Sequence, residues 1–245
     1  MSASRSVAPL PAGWPYAPRS AGDLTEREFE ATIDGLGSGW TLLLRAPVSF
    51  EAAASELPHA FGRGGVQRIG EVVVRPYRRG GLVRQVNERV YLSPLRFARE
   101  FTVHRALWAA GFPTVEPLGY GFRGRLWGVE GLFLTRYAEA SAWPACWNRS
   151  GEVLPQLELM LKALVSWGLY APDLNATNVL LTPEGSVLAL DWDRAHWSQG
   201  LDLCFQYRKR LLRSLAKLEA PAEVIAALQK TLSTGAQRDP IDNDG

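Results

Sequence analysis

No lysine occurs before Lys162, so every strongly basic side chain in the first two thirds of this 245-residue chain is an arginine. Cysteine is almost missing as well. Cys146 and Cys204 lie far apart, without a CxxC or zinc-ligand spacing, which argues for reduced core or boundary residues and against a disulfide framework. Three isolated histidines, His59, His104 and His196, cannot assemble a His/Cys metal cluster by spacing. A surplus of one charge is also lacking: 27 Lys+Arg against 25 Asp+Glu leaves +2, too slight to announce a nucleic-acid binder. Long apolar runs are absent too. The longest uncharged stretch, Ser6 to Pro18, has 13 residues and is broken by three prolines, whereas a spanning helix needs ~20 apolar residues. The start of the chain lacks a basic segment followed by the unbroken apolar run of a secretory signal, so the cytoplasm is the expected compartment. With 47% hydrophobic and 21% charged residues, the composition is that of a folded chain of one or two domains.

Residues 1–22 are rich in Pro, Ala and Ser, and residues 233–245 are polar without apolar periodicity, so both are expected to be loose tails. Between them the first half carries short strand-like runs at Trp40–Leu44, Val66–Ile69, Glu71–Val74 and Trp127–Leu134, with Gly70 as a turn, in an antiparallel arrangement. A helix is expected from Leu95 to Ala110, after Pro94 and capped by Gly111. The second half opens on a Trp/Pro-rich loop (Ala142–Trp147) and a helix from about Leu154 to Trp167, where Leu157, Met160, Leu161 and Leu164 form a core stripe stopped by Gly168. A further helix, about Leu201–Leu218, carries Arg208, Lys209, Arg210, Arg213 and Lys217. That basic surface has two readings, a solvated helix face or attraction to an anionic membrane.

Between these two helices lies the most informative segment. Tyr170 to Leu181 and Ser186 to Asp193 flank a Pro183-Glu184-Gly185 turn, the signature of a β-hairpin. Asn178 and Asp191 are equally far from a centre between Glu184 and Gly185, so folding should set an amide oxygen beside a carboxylate, with Asp173 reaching the same spot from the preceding loop. Two oxygen ligands suit a hard Mg²⁺ ion that takes its other ligands from water and nucleotide phosphates. A separate aspartate can accept the proton of an attacking hydroxyl. That division of labour is the one used in phosphoryl transfer.

Asp173–Asn178 and Asp191-Trp192-Asp193 resemble the catalytic loop and metal-binding motif of the protein-kinase-like fold. Within that fold, Val74-Arg75-Pro76-Tyr77-Arg78-Arg79-Gly80-Gly81-Leu82, Arg99-Glu100-Phe101, Asp173-Leu174-Asn175 and Leu190-Asp191-Trp192-Asp193 resemble the bacterial 3-deoxy-D-manno-octulosonic acid (Kdo) kinases of the lipopolysaccharide kinase family, over about residues 60–215. The resemblance implies an α+β, two-lobed kinase-like fold: a small antiparallel sheet plus one helix over 23–137, then a mainly helical lobe over 138–232. It implies Asp173 as catalytic base, Asn178 and Asp191 as Mg²⁺ ligands, and Glu100 as the helix acid orienting a basic residue on the preceding strand. Because lysine is missing from the first lobe, that cation must be an arginine, and Arg75 occupies the matching position.

Gly62, Gly64 and Gly65 suggest a glycine-rich turn over the nucleotide, and Leu132–Tyr137, with Thr135 and Tyr137, falls where a hinge backbone would hold adenine. Arg78, Arg79 and Arg84, beside the Gly80-Gly81 turn, and Asn175 of the Asp-Leu-Asn motif are candidate contacts to an anionic acceptor. The implied activity is ATP- and Mg²⁺-dependent phosphorylation of a sugar hydroxyl in the lipopolysaccharide inner core. Its acceptor is an anionic glycolipid of the Kdo-lipid A type, met by peripheral contact at the inner face of the cytoplasmic membrane. No nucleic-acid partner is implied, and oligomeric state carries no sequence signal. One departure stands out: such loops usually carry histidine two residues before the base, where this chain has Ala171 followed by Pro172. Pro172 fixes its own φ and pushes Ala171 towards extended geometry, supplying part of the missing rigidity. The alternatives are a kinase of a small soluble alcohol or aminoglycoside, and a catalytically silent kinase-like module, for which Ala171 is the best support.

Overall fold

The computed structural model describes residues 17–19, 25–29, 37–45, 48, 50, 54–56, 65–78, 90–198 and 200–234. The expected tails fall outside these residues except at 17–19, where Arg19 N donates to Ala109 O at 2.8 Å, and at 233–234, which end a helix. The chain divides into two units. One is built on the described residues through Glu139 together with Trp192–Arg194, the other on Ala140–Asp191 and the described residues from Ala195 on.

The described strands of the first unit are β1 (Thr25–Phe29), β2 (Trp40–Leu44), β3 (Ala54–Glu56), β4 (Gln67–Ile69), β5 (Val72–Pro76), β6 (Pro117–Arg125) and β7 (Gly128–Arg136). They form one antiparallel sheet in the order β1-β2-β6-β7-β5-β4-β3. Alternation decides the faces: Trp40, Leu42 and Leu44 of β2 are buried, with Val72 and Val74 of β5, in one apolar cluster. Strand β6 does not announce itself in the sequence because Pro117, Gly119, Gly121 and Gly124 read as loop punctuation. The glycines are instead what lets β6 lie against β2. A Cβ at Gly119 would stand 2.2 Å from Leu43 O, and one at Gly121 2.4 Å from Leu42 Cδ2.

Helix α1 (Leu95–Ala109) ends as its glycine suggested. Gly111, at φ 80°, donates to Trp108 O at 3.0 Å, and Phe112 N donates to Leu107 O at 2.9 Å, the paired bonds of a Schellman cap. The helix buries Phe97 and Phe101 against Tyr77, Tyr91, Tyr120 and Phe133. Phe97 lies directly on Gly131 of β7, where an added Cβ would come within 2.2 Å of the ring. A bare backbone at that point brings α1 close enough to the sheet for Glu100, one turn on, to reach β5 side chains.

The second unit holds α2 (Ser150–Ser166), α3 (Leu203–Lys217) and α4 (Ala222–Thr234). Two small antiparallel sheets accompany them: β8 (Ser141–Ala142) with β10 (Val179–Leu181) and β11 (Val187–Ala189), and β9 (Leu169–Tyr170) with β12 (His196–Trp197). Helix α2 starts about a turn earlier than the expected Leu154, and Pro155 lies inside it. Asp202 caps α3 by accepting from Phe205 N at 3.0 Å, and Leu203, Tyr207, Leu211 and Leu215 form its buried stripe. The cysteines correct one expectation: Cys146 is half-buried, but Cys204 is exposed on α3 and belongs to no core.

Candidate active site

The β10–β11 hairpin is present, with a register one residue away from the symmetric one. Its loop, Pro183-Glu184-Gly185, has three residues and ends on Gly185 at φ 88°; Gly185 N donates to Thr182 O at 3.1 Å, and Thr182 N to Ser186 O at 2.9 Å. An odd loop centres the hairpin on Glu184. Val179 therefore pairs with Ala189, and Leu190 N donates to Asn178 O at 2.8 Å, so Leu190 rather than Asp191 stands opposite Asn178. A one-residue slip normally sends a side chain to the other face. Here the alternation stops at Asp191, whose φ of 66° takes the chain out of the strand, a conformation rare outside glycine.

The preceding loop is organised around the backbone of Asp173. Asn175 Nδ2 and Asn178 Nδ2 both donate to Asp173 O, each at 2.8 Å. Asn175 Oδ1 also accepts from Thr177 N at 2.9 Å and Thr177 Oγ1 at 2.6 Å, capping the short 3₁₀ turn Ala176–Asn178. Asn175 is thus a brace of the loop, where the sequence suggested a substrate contact. Asn178 is oriented by its amide nitrogen, and its Oδ1 has no protein donor among the described residues.

The missing histidine before the base is answered from α3. Ala171 N donates to Tyr207 Oη at 2.9 Å, and Tyr207 Oη donates to Leu169 O at 2.7 Å. Two turns further on, Ser214 Oγ accepts from Ala176 N at 3.1 Å. Tyr207 is buried, and burial pushes its phenol above its ordinary pKa, so it stays protonated and able to donate. Replacing Tyr207 by Phe orphans a buried N–H and a buried C=O, each worth roughly 1–3 kcal/mol. The expected result for Tyr207→Phe is a lower urea midpoint and a lower kcat with little change in nucleotide affinity. An unaltered kcat would show that the loop needs no brace.

A second cluster lies in the first unit. Glu100, 1% exposed, accepts from Arg75 through Oε1 and from Tyr77 Oη through Oε2. Burial, then the Glu100 charge, holds the Tyr77 phenol well above its usual pKa, so it remains a donor. Arg75 is one-third exposed. The residues after Asp191 are fixed in the same unit. Trp192 is buried and donates through Nε1 to Thr114 Oγ1 at 3.0 Å, and Thr114 Oγ1 lies 3.0 Å from His104 Nε2, which also contacts Val115 O at 2.9 Å. Burial pulls His104 down to about 3, so it is neutral near pH 7. Asp193 accepts from both Arg96 Nε and Arg96 Nη2, a bidentate pair.

The other expected site residues divide. Gly65, at φ 80°, lies under Arg78, whose Nη2 would be 2.5 Å from a Cβ there. Gly62, Gly64, Arg79 and Arg84 lie outside the described residues. Thr135 is inside β7, paired to both Val73 and Pro117, and Tyr137 N donates to Glu71 O at 2.8 Å while Arg68 stacks on its ring. The passage between units falls at Glu139–Ala140, four residues after Thr135. Tyr207, Arg96 and Thr114 were not foreseen. Tyr207 alone left a trace: a tyrosine on an otherwise leucine stripe needs a partner for its hydroxyl.

Residues 55–230 match the model of the lipopolysaccharide kinase (Kdo/WaaP) family. The chain belongs to that family. Membership makes the protein a kinase of lipopolysaccharide biosynthesis with a kinase-like α+β fold. It is 30% identical over 176 residues to the 3-deoxy-D-manno-octulosonic acid kinase of Xylella fastidiosa (strain M12), which covers 64% of this chain and 67% of that relative. It is likewise 30% identical over 184 residues to the enzyme of that name from Xanthomonas oryzae pv. oryzae (strain PXO99A), covering 64% and 68%. A fainter structural likeness, to the crystal structure of WbdD, has a TM-score of 0.41 and 15% identity, covering 71% of this chain and 45% of that one. No helix among the described residues is long and apolar enough to cross a membrane.

Proposed function

We propose that this family member is an ATP- and Mg²⁺-dependent kinase that phosphorylates a hydroxyl of Kdo in the lipopolysaccharide inner core. Its acceptor is Kdo-bearing lipid A, met at the inner face of the cytoplasmic membrane by a peripheral, cytoplasmic protein. The supporting observation is the loop in which Asn175 and Asn178 grip the carbonyl of Asp173. That grip sets a half-buried carboxylate on a rigid turn, as a general base for a hydroxyl requires. The donors fit Mg²⁺: a neutral amide oxygen on Asn178 and the carboxylate of Asp191 are hard oxygen ligands, too few to close a site without phosphates. When bound, the ion neutralises charge on the transferred phosphoryl group.

Asp173 takes the proton of the acceptor hydroxyl. Arg75, held by Glu100, supplies a permanent cation for nucleotide phosphates, and Gly65 offers a bare backbone for the same purpose, with Arg78 beside it as a contact for the anionic acceptor. The relatives named as Kdo kinases favour a sugar acid as acceptor. The Tyr207 bond to Ala171 weighs against a silent module, since it braces the loop where histidine is missing. Transfer from labelled ATP is to be measured with Kdo-lipid A and with a panel of soluble alcohols and aminoglycosides, with and without Mg²⁺. Mg²⁺-dependent transfer to the glycolipid is expected. Preferential transfer to a soluble acceptor would overturn the substrate while leaving the kinase.

A further inference from the structure

Arg210 is the one cation of α3 that does not face solvent like its neighbours. Arg208, Lys209, Arg213 and Lys217 are exposed, whereas Arg210 is half-buried on the face that carries Tyr207 and Ser214, one turn to either side. Both flanking residues are bonded to the catalytic loop, at Ala171 N and Ala176 N. Between those anchors the Arg210 guanidinium is set against Asp173, with Nη2 3.7 Å from Oδ1. That separation is an ion pair without a hydrogen bond. Its Nε is buried with no hydrogen-bond partner among the described residues, although the side chain as a whole is 35% exposed. A planar fork of donors is therefore held beside the proposed base with its hydrogen-bonding capacity unmet.

Such a fork takes an oxyanion, and two can come to a kinase's base: the phosphoryl group in transfer, or an anionic group on the acceptor. Phosphates already have Arg75 and the oxygen ligands of Mg²⁺ assigned to them. An acidic sugar brings a second carboxylate towards Asp173, and two like charges a few ångströms apart repel. A guanidinium at Asp173 cancels that repulsion and binds the incoming carboxylate through parallel N–H donors. A neutral sugar has no need of it. Resting on the Kdo-kinase reading of the same site, we propose that Arg210 is the specificity residue of the acceptor site, binding the carboxylate of a sugar acid beside the hydroxyl that Asp173 deprotonates.

The test uses the full chain as wild type, Arg210→Gln and Arg210→Lys, with Kdo-lipid A and its carboxamide derivative in detergent micelles. Acceptor affinity is read by calorimetry without nucleotide, and KM and kcat by phosphate transfer. For Arg210→Gln the expected result is an acceptor Kd and KM raised about 10- to 100-fold, the worth of a charged hydrogen bond, with the KM for ATP within about twofold of wild type. Wild type should reject the carboxamide by a similar factor, and Arg210→Gln should not distinguish the two acceptors, because both changes remove the same interaction. Arg210→Lys keeps the charge without the fork and should fall between. A fall in kcat alone, equal for both acceptors, would assign Arg210 to the transferred phosphoryl group and overturn the proposal. Equal use of acid and carboxamide by wild type would overturn it without any variant, while leaving the Kdo-kinase reading intact. Transfer by wild type to soluble alcohols in place of either lipid would overturn that reading and this one together.

Discussion

Asp173→Asn should retain the fold and nucleotide affinity and lose turnover by a factor on the order of 10²–10⁴, the usual worth of a positioned general base. The substitution is clean for a structural reason. Asn175 and Asn178 hold the backbone carbonyl of residue 173 rather than its carboxylate, so the loop keeps both bonds when the side chain changes. The pairing with Arg210 at 3.7 Å, between side chains 22% and 35% exposed, is weakened with the base. An ion pair at that distance and exposure adds little to stability. Calorimetric titration with Mg²⁺–ATP and a transfer assay on Kdo-lipid A separate the two effects. Full turnover in Asp173→Asn would move the base to another residue, and lost nucleotide affinity would show that the carboxylate serves the nucleotide instead.

How much of this was legible in advance follows from where local signals meet long-range ones. Strand β2 coincides with its expected limits because alternation of Trp40, Leu42 and Leu44 is a local pattern, and α1 matches to within one residue because Pro94 and Gly111 punctuate it. Strand β6 was hidden because its glycines answer to Leu42 and Leu43, some 75 to 80 positions away in the chain, and no window of sequence carries that contact. The hairpin was legible but its register was not. Counting outward from Pro-Glu-Gly assumes a two-fold centre, whereas a left-handed Gly185 makes a three-residue loop and moves every pair by one. Asp173, Asn178 and Asp191 were singled out by spacing, yet the residues that brace the segments carrying them were not. Tyr207 acts on Ala171 across 36 positions, and Thr114 on Trp192 across 78. The departure at Ala171, which weakens the case for catalysis in the sequence, looks different once an element far along the chain supplies the missing bond.

The Arg75–Glu100–Tyr77 cluster carries the second large expectation, and it is an asymmetric one. Glu100 is 1% exposed and accepts from two donors, while Arg75 is one-third exposed. Removing Arg75 leaves a buried carboxylate without its guanidinium while the Tyr77 hydroxyl still donates to it, and breaking a buried pair in this way costs about 3–5 kcal/mol. Glu100→Gln removes the charge but keeps an oxygen for Tyr77, and Arg75 can turn to water. Arg75→Ala should therefore lower the urea midpoint more than Glu100→Gln does. The double variant Arg75→Ala/Glu100→Gln should be more stable than Arg75→Ala alone, since the amide relieves the uncompensated charge. Function should follow a different order. Each single variant and the double should raise the KM for ATP to a similar extent if Arg75 has its proposed role at the phosphates and is aimed by Glu100, since groups that act as one unit are lost together. Equilibrium unfolding of the three variants, beside their KM for ATP, checks both orders. Additive losses of stability would show that the two side chains are not coupled, and an unchanged KM in Arg75→Ala would remove Arg75 from the nucleotide site.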